Sequence, residues 1–326
     1  MMYTPGYRRL FESGEFARRI VKLKKLLEKC VLCGRRCGVN RIAGERGYCG
    51  AGIELEVASS CLHRGEEPVL TGEVGVGNIF LGRCNMRCVY CQNHRISQPE
   101  DKTDPNWECS SRDLAEKLLH FQKQGCRTAG FVSPTHFAPQ IFEALYLAAE
   151  EGFNLPVIYN TNGYDSPELL SLLDGLVDIY LPDFKYWINE YGELYSDTPH
   201  YAGTAMKSIL EMHRQVGVLE TDEKGTAVRG LIIRLLVLPG KISGTEEILR
   251  YIASRLGTDV SVSLMSQYYP AHHAHSYPPL SRKLEPEEYS RTVRALDELG
   301  FENGWVQDPV TSPDSYRPGV DFKLHY

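Results

Sequence analysis

The sequence lacks any apolar run that approaches the ~20 residues needed to span a bilayer. Its N-terminal segment also lacks the uninterrupted apolar core of a signal peptide, because basic and acidic side chains recur along it. Internal repeats and low-complexity tracts are absent as well. We therefore expect a cytoplasmic protein without a membrane partner.

The sequence also lacks an excess of positive charge, because its 36 Lys and Arg residues are outnumbered by 42 Asp and Glu residues, which gives a net charge of -6. This composition provides no overall attraction to nucleic acid and disfavours it as a partner. One local basic stretch, 18–29, overlaps apolar residues at helical spacing: Phe16, Ile20, Leu23 and Leu27. We interpret its charges as the solvated face of an amphipathic helix.

From residue 78 onward, short β-branched runs alternate with helical patterns. Helices are predicted near 111–124, 139–151, 166–174, 201–216, 244–256 and 286–299. Continuous apolar strands joined by helical crossovers indicate a parallel sheet that is buried on both faces. Six strand–helix units predict an α/β fold, a partial (β/α)6 TIM-like barrel, because too few residues remain for a closed barrel of eight units.

The predicted organisation has two parts. Residues 1–74 would form an N-terminal helix and a small cysteine-rich, metal-binding module. Residues 75–326 would form the barrel and a C-terminal extension. Within this extension, 309–326 is predicted to form a loop-rich tail along the surface. In such folds the chemistry gathers at the carboxyl ends of the strands, where most of the candidate residues below are expected.

Ten cysteines are many for a cytosolic chain, and seven of them fall into two tight groups. Such clustering indicates metal, whereas a disulfide framework would need an oxidising compartment. Cys84, Cys88 and Cys91 follow a predicted strand directly, at a spacing that lets three thiolates wrap one iron–sulfur cluster. Three ligands leave one iron of a four-iron cluster open; a structural zinc loop and chance clustering are the alternatives.

The second group is Cys30, Cys33, Cys37 and Cys49, flanked by glycines. Four thiolates make a closed site, either structural zinc or a fully ligated iron–sulfur cluster, and sequence does not separate these options from each other. Free buried thiols are the third alternative. Among the scattered cysteines, Cys109 and Cys126 read as packing residues.

The Cys-x3-Cys-x2-Cys loop, with Tyr90 directly before its third cysteine, resembles the motif of the radical SAM superfamily. The resemblance covers about residues 30–310. It implies a 4Fe-4S cluster that binds S-adenosylmethionine (SAM) and cleaves it to a 5'-deoxyadenosyl radical. It also implies an electron donor of the flavodoxin or ferredoxin type.

Within that superfamily, the Thr-Asn-Gly run and the Asp-x-Lys of LPDFKY resemble pyruvate formate-lyase activating enzymes. This resemblance implies that Lys185 meets the SAM carboxylate, that Asp183 helps to form a monovalent cation site, and that Asn162 lies at the cofactor. Asn160 replaces an aspartate of the activating enzymes, which puts the cation in doubt. A buried Asp–Lys pair that only closes the sheet is the alternative.

A second departure follows the second strand of the barrel, where FVSPTHFAPQ replaces a Gly-Gly-Glu type motif. Ser133 and Thr135 would supply acceptors for the SAM amino group there. His272 stands near the position of a histidine that meets the SAM carboxylate, and His273 or His275 matches equally well.

Arg234, on the fifth strand, would reach SAM or substrate, or act as a structural ion-pair partner. His63, Glu66 and Glu67 precede the first strand of the barrel and would line the mouth of the site or form a polar connector. No single catalytic side chain is indicated.

Three functions fit these observations. The resemblance implies an activase that abstracts hydrogen from a backbone glycine of a glycyl-radical enzyme. A radical enzyme acting on a small molecule or on RNA is the second, and the composition weighs against RNA. A non-catalytic iron–sulfur sensor or scaffold is the third.

Overall fold

The computed structural model describes residues 3–99 and 104–308. Within them lie ten strands and eleven α-helices. The strands are β1 (Leu55–His63), β2 (Val76–Leu81), β3 (Glu108–Cys109), β4 (Ala129–Val132), β5 (Val157–Thr161), β6 (Ile179–Pro182), β7 (Glu220–Thr221), β8 (Ala227–Leu236), β9 (Ser261–Met265) and β10 (Gly304–Val306). The helices are α1 (Gly6–Glu12), α2 (Glu15–Lys25), α3 (Pro68–Thr71), α4 (His94–Ser97), α5 (Ser111–Lys123), α6 (Ala138–Glu150), α7 (Pro167–Leu173), α8 (Asn189–Ser196), α9 (Tyr201–Val216), α10 (Thr245–Leu256) and α11 (Pro286–Glu298).

One sheet contains all of these strands in the order β10-β9-β8-β6-β5-β4-β2-β1-β3, with β7 paired to β8. The pairs from β2 to β10 along this order are parallel, whereas β1, β3 and β7 pair antiparallel. The order ends at β10 and at β3, so the sheet is open. The predicted α/β fold and partial barrel are confirmed.

The six predicted strand–helix units correspond to β2, β4, β5, β6, β8 and β9 and to the helices that follow them. Every residue of β2, β6 and β9 is buried, as expected for strands covered on both faces. The prediction missed β10, a seventh parallel strand. Its three residues are too few to show a periodic pattern.

The boundary predicted at residue 74 does not separate two cores. The segment 55–63, assigned to the N-terminal module, lies in the sheet as β1 and pairs antiparallel with β2. The N-terminal helices pack on the helical layer, where Phe16 is fully buried and its ring lies 5.5 Å from that of Tyr146. One continuous hydrophobic core therefore runs from Tyr7 to Phe301.

The start of the chain is tied to the sheet by a buried carboxylate. Asp178 accepts hydrogen bonds from the Tyr3 hydroxyl at 2.8 Å and from the Gly6 amide at 2.9 Å. Its other oxygen accepts the Val157 amide at 2.9 Å. None of the described helices has the length and apolar character needed to cross a membrane. The predicted surface tail, 309–326, lies outside the described residues.

Candidate active site

A cavity of about 730 Å³ borders the carboxyl ends of the parallel strands. This volume lies in the range of small-molecule and cofactor sites. The residues that line it include all three cysteines of the Cys-x3-Cys-x2-Cys loop. They also include seven of the nine predicted cofactor residues: Tyr90, Ser133, Asn160, Asn162, Asp183, Lys185 and Arg234.

The cysteine loop begins three residues after β2 ends, which brings the three sulfurs to the edge where the parallel strands end. Each sulfur contacts a polar side chain. Asn162 Nδ2 lies 3.6 Å from Cys84 Sγ, Ser196 Oγ donates to Cys88 Sγ at 3.0 Å, and Ser97 Oγ lies 3.2 Å from Cys91 Sγ. Donors of this kind suit sulfur ligands that carry negative charge.

Burial of the loop disfavours charged thiolates that have no metal. Burial raises the pKa of Cys84 to about 12 and that of Cys88 to about 11, although both sulfurs border the cavity. Burial raises the pKa of Cys91 in the same direction. The ammonium group of Lys185 offsets part of each rise. Because a metal takes the place of the thiol proton, an iron–sulfur cluster fits this set of donors.

Lys185 reaches the cavity as one member of an ion pair. Its Nζ lies 2.6 Å from Asp183 Oδ2, and both side chains are less than a quarter exposed. Burial alone would lower the pKa of Lys185, but the carboxylate of Asp183 and the sulfur of Cys88 outweigh burial and hold this pKa above its ordinary value. The lysine thus stays charged beside the cysteine loop.

The Thr-Asn-Gly turn after β5 packs against the segment that carries this ion pair. Gly163 has a φ of 77°, and a Cβ there would lie 2.6 Å from the carbonyl oxygen of Asp183. A side chain at this position would push the two segments apart. The amide of Asn162 donates to Asn85 Oδ1 at 2.6 Å, which orients it beside Cys84.

Tyr90 is buried against two other tyrosines. Tyr186 donates its hydroxyl to that of Tyr90 at 2.8 Å, and the ring of Tyr268 lies 5.8 Å from the Tyr90 ring. Tyr90 and Tyr268 both line the cavity. This aromatic wall fixes the backbone between the second and third cysteines.

Of the two residues predicted to follow the second barrel strand, only one lies at the cavity. Ser133 lines it in a left-handed conformation with φ of 54°, and its amide donates to the Asn160 carbonyl at 2.8 Å. Thr135 is buried and donates its hydroxyl to Asp165 Oδ1 at 2.8 Å. The structure therefore does not bring Thr135 to the cavity, because a 3₁₀ turn carries it towards this buried carboxylate.

Arg234 is engaged by two carboxylates in the cavity wall. Its Nε lies 2.8 Å from Glu67 Oε1, and its Nη2 contacts both Glu67 and Glu66. Burial would lower the pKa of Arg234, yet the two carboxylates raise it well above its ordinary value. These contacts agree with the interpretation of Arg234 as a structural ion-pair partner. Glu66, Glu67 and His63 border the cavity, as expected from the interpretation that they line the mouth of the site rather than from the polar-connector alternative.

His272 does not border the cavity. Its ring stacks on that of His94 at 4.6 Å and lies 3.7 Å from that of His273. The same loop instead contributes Gln267 and Tyr269 to the lining, whereas His273 and His275 are absent from it. His272 itself has a left-handed backbone conformation, with a φ of 51°.

The four N-terminal cysteines line a second, smaller cavity together with Leu32, Val39 and other neighbours. Cys30 is buried and Cys37 is exposed. This group lies against the first site, because Tyr48 packs between the guanidinium groups of Arg35 and Arg87 at 3.3 and 4.7 Å from its ring centre. Cys109 and Cys126 lie in the hydrophobic core, as packing residues do.

Sequence reasoning missed the contacts made by Ser196, Asn85 and Tyr186. Ser196 lies at the end of α8 and 108 positions from Cys88, so no short motif links the two. Tyr186 directly follows Lys185 in the LPDFKY run. This position is the only sequence feature that could have indicated its contact with the site.

Comparison with known proteins agrees with this geometry. The uncharacterized protein MJ0674 of Methanocaldococcus jannaschii is 34% identical over 286 residues, which are 86% of this chain and 77% of that protein. The model of the radical SAM superfamily matches residues 78–218, a range that contains the cysteine loop and the Asp–Lys pair. The chain belongs to the radical SAM superfamily. Membership implies a 4Fe-4S cluster and SAM, and Cys84, Cys88 and Cys91 are the side chains that fit the cluster.

The similar solved structures are more distant in sequence. Methylornithine synthase (PylB) is 14% identical, with a TM-score of 0.48 over 76% of this chain and 77% of its own. SuiB of Streptococcus suis, solved with its precursor peptide SuiA, is 12% identical, with a TM-score of 0.45 over 66% of this chain. This chain spans 43% of SuiB.

The contact between Ser196 and Cys88 predicts an effect on redox potential. Ser196→Ala removes a hydrogen bond to a ligand sulfur, so negative charge on that sulfur is less well stabilised. We expect the midpoint potential of the reconstituted cluster to fall by tens of millivolts in an EPR-monitored titration. Ser254→Ala, which removes a hydroxyl bonded only to the carbonyl of Tyr251, is the matched control. Equal potentials in all three proteins would contradict the assignment of Cys88 as a ligand.

Proposed function

We propose that this chain is an enzyme that cleaves SAM reductively with a 4Fe-4S cluster held by Cys84, Cys88 and Cys91. The observation that carries the proposal is the convergence of three cysteines and a charged lysine on one cavity. Three thiolates leave one iron of such a cluster without a protein ligand, where a chelating cofactor can bind. A site with four protein thiolates would have no such position.

When bound, the cluster supplies one electron that breaks a sulfur–carbon bond of the sulfonium and yields methionine and a 5'-deoxyadenosyl radical. The residues of this chain bind and orient the cofactor. Lys185 offers a charge-assisted hydrogen bond to the carboxylate of SAM in a site with little competing water. Ser133 and Asn160 line the same cavity at the carboxyl ends of β4 and β5. Asp183 keeps the lysine in place, and a monovalent cation beside it stays a prediction.

The electron comes from outside the chain. A radical SAM enzyme requires a low-potential reductant, and a flavodoxin or ferredoxin is the class that we propose. Tyr48 of the N-terminal segment packs on Arg87 of the cysteine loop, and we propose that the reductant acts from the side of this N-terminal segment.

The substrate that we propose is a backbone glycine of a glycyl-radical enzyme. The open sheet supports this proposal. His63 of β1 and Trp305 of the edge strand β10 both border the cavity, and the sheet that carries them is not closed. An open sheet of this kind can admit a loop of a partner protein.

A small-molecule substrate is the second candidate, and the Arg234 cluster favours it. Glu66, Glu67 and Arg234 place three charged groups in the wall of the cavity, with an additional hydrogen bond from Asn78 to Glu66 at 2.7 Å. Such groups could recognise a polar molecule of modest size.

Loss of one cluster ligand tests the enzyme proposal. Reduced, reconstituted protein incubated with SAM should release 5'-deoxyadenosine, and Cys88→Ala should abolish this release because the cluster loses a thiolate. Chromatography of the reaction mixture measures the product. Cys126→Ala, a change in the packed core, should retain it. Release by the Cys88 variant would refute the ligand assignment, and no release by the fully loaded parent protein would favour a scaffold.

Removal of the lysine tests the role given to Lys185. Lys185→Ala should weaken SAM binding by about 10- to 150-fold, since a hydrogen bond to a charged group contributes about 1.5–3 kcal/mol. Equilibrium dialysis with labelled SAM measures the effect, and Lys207→Ala on the exposed face of α9 is the control. Because the change leaves Asp183 unpaired, the double variant with Asp183→Asn should bind SAM as weakly. Parental affinity in that double variant would show that Lys185 does not hold the carboxylate.

A partner assay distinguishes the two substrate classes. A glycyl-radical enzyme from the same genome, mixed with this chain, SAM and reductant, should develop a glycine-centred doublet in its EPR spectrum. Replacement of the target glycine by alanine should remove the doublet. Turnover of SAM without any such signal would contradict activation and favour the small-molecule candidate.

A further inference from the structure

Three hydroxyl groups form a line from the wall of the cavity to a ligand sulfur. The hydroxyl oxygens of Tyr90 and Tyr186 are 2.8 Å apart. The oxygens of Tyr186 and Ser196 are 2.7 Å apart, and Ser196 Oγ is 3.0 Å from Cys88 Sγ. All three distances lie within hydrogen-bonding range, so the four groups form one continuous chain of hydrogen bonds.

This chain is closed off from solvent. Tyr186 and Ser196 are fully buried, whereas Tyr90 is 6% exposed and lines the cavity. Buried hydroxyl groups find their hydrogen-bond partners within the protein. Hydrogen bonds in such a chain strengthen one another, because a hydroxyl that accepts a hydrogen bond becomes a better donor. A change at one end of the chain therefore alters the hydrogen bond at the other end.

The backbone holds Ser196 beside the cysteine loop independently of its hydroxyl. The amide of Arg87 donates to the Ser196 carbonyl at 3.0 Å, and the amide of Val89 donates to the Tyr195 carbonyl at 2.9 Å. These two hydrogen bonds flank Cys88 and keep Ser196 close to its sulfur. They do not fix the hydroxyl hydrogen of Ser196, which can rotate towards either of its neighbours.

The number of available hydrogens decides the direction of the chain. Each hydroxyl has one hydrogen to donate, and a cysteine sulfur that ligates a metal has none. The contact with Cys88 must then be donated by Ser196, whose contact with Tyr186 must be donated by Tyr186. Because Tyr186 has now used its hydrogen, Tyr90 must donate to Tyr186. With a ligand sulfur, this arrangement alone satisfies all three contacts.

The opposite direction requires a hydrogen on the sulfur. If Tyr186 donates to Tyr90, its contact with Ser196 uses the hydrogen of Ser196, and only a thiol at Cys88 can then complete the chain. The distances are compatible with both directions. Replacement of the thiol proton by iron therefore turns the whole chain towards Cys88.

We propose that Tyr186 and Tyr90 are positioning residues for the cluster, which strengthen the hydrogen bond from Ser196 to Cys88 and thereby raise the midpoint potential. Hydrogen bonds to cluster sulfurs help to set such potentials, because they stabilise the negative charge that reduction adds. The inference rests on the proposed function, since it requires Cys88 as a ligand. It links a cavity-lining side chain to the cluster through three hydrogen bonds.

Single substitutions test the chain. Tyr186→Phe removes one hydroxyl and keeps the ring, so Ser196 no longer accepts the hydrogen bond that makes it a stronger donor. We expect the midpoint potential of the reconstituted cluster to fall in an EPR-monitored titration, by less than in Ser196→Ala. Tyr90→Phe, one hydrogen bond farther from the sulfur, should lower it less again. Tyr180→Phe, which removes a buried hydroxyl bonded to Gln215, is the matched control and should keep the parental potential.

A Tyr186→Phe variant with the same potential as Tyr180→Phe would overturn the proposal. This comparison requires no change at Ser196, so it stays decisive if Ser196→Ala does not fold. Circular dichroism and the iron content per chain show that each variant folds and holds its cluster.

A double-mutant cycle separates the chain from a general structural effect. Ser196→Ala interrupts the chain next to the sulfur, so the addition of Tyr186→Phe should lower the potential no further. Additive shifts would show that Tyr186 acts by another route and would also overturn the proposal.

The same measurements separate failure of this inference from failure of the proposed function. The iron content of the reconstituted parent protein and its loss in Cys88→Ala report whether Cys88 holds a cluster. A parent cluster whose potential responds to Ser196→Ala but not to Tyr186→Phe would refute the hydroxyl chain alone. A parent protein that binds no iron would refute both.

Discussion

The parallel pairing of neighbouring strands is the constraint on which the site depends. The strands β2, β4, β5 and β6 are paired in register, from Ile79 through Phe131 and Tyr159 to Tyr180. Their carboxyl ends therefore meet at one edge, and the turns that follow them face one space. Cys84 and Asn162 come into contact there although 78 positions separate them.

This arrangement buries charged side chains. Each of them is stabilised by a neighbouring side chain of opposite charge. Lys185 is held by Asp183, and Arg234 is held by Glu66 and Glu67. Removing water from such groups is costly unless each has a close opposite charge. The same loss of water strengthens any interaction that a bound cofactor makes with Lys185. Pairing thus keeps a charged lysine available inside the cavity.

The parts of the site that sequence predicted are those with short-range signals. The cysteine loop, the Thr-Asn-Gly turn and the Asp-x-Lys run each follow a strand whose apolar pattern is continuous, so their place at the strand ends could be predicted. Thr135 and His272 were also predicted to lie at the site because they follow a strand. Long-range contacts, however, decide where their side chains lie. Thr135 is drawn to Asp165, which lies 30 positions away, and His272 stacks on His94.

A related reason explains why the sequence analysis missed some strands. In β1 the burial changes along its length from a buried first half to a partly open second half, so its sequence shows neither clean alternation nor a continuous apolar run. It pairs with β2 and β3, which both follow it in the chain, and these pairings define it. Ser196 is a further case, since its contact with Cys88 exists only because the folded chain brings α8 against the cysteine loop.

The N-terminal segment is a structural part of the site, because its contacts fall on the cysteine loop itself. Tyr48 accepts the guanidinium of Arg87 on its ring, and the Tyr48 carbonyl accepts Arg87 Nη2 at 3.3 Å. On the other side, the Gly34 amide donates to the Tyr164 carbonyl at 3.1 Å, in the turn that follows β5. Both of these anchor points lie within a few residues of groups that contact Cys84 and Cys88. These contacts mean that the segment that carries the four N-terminal cysteines and the loop that carries the other three are held in place together.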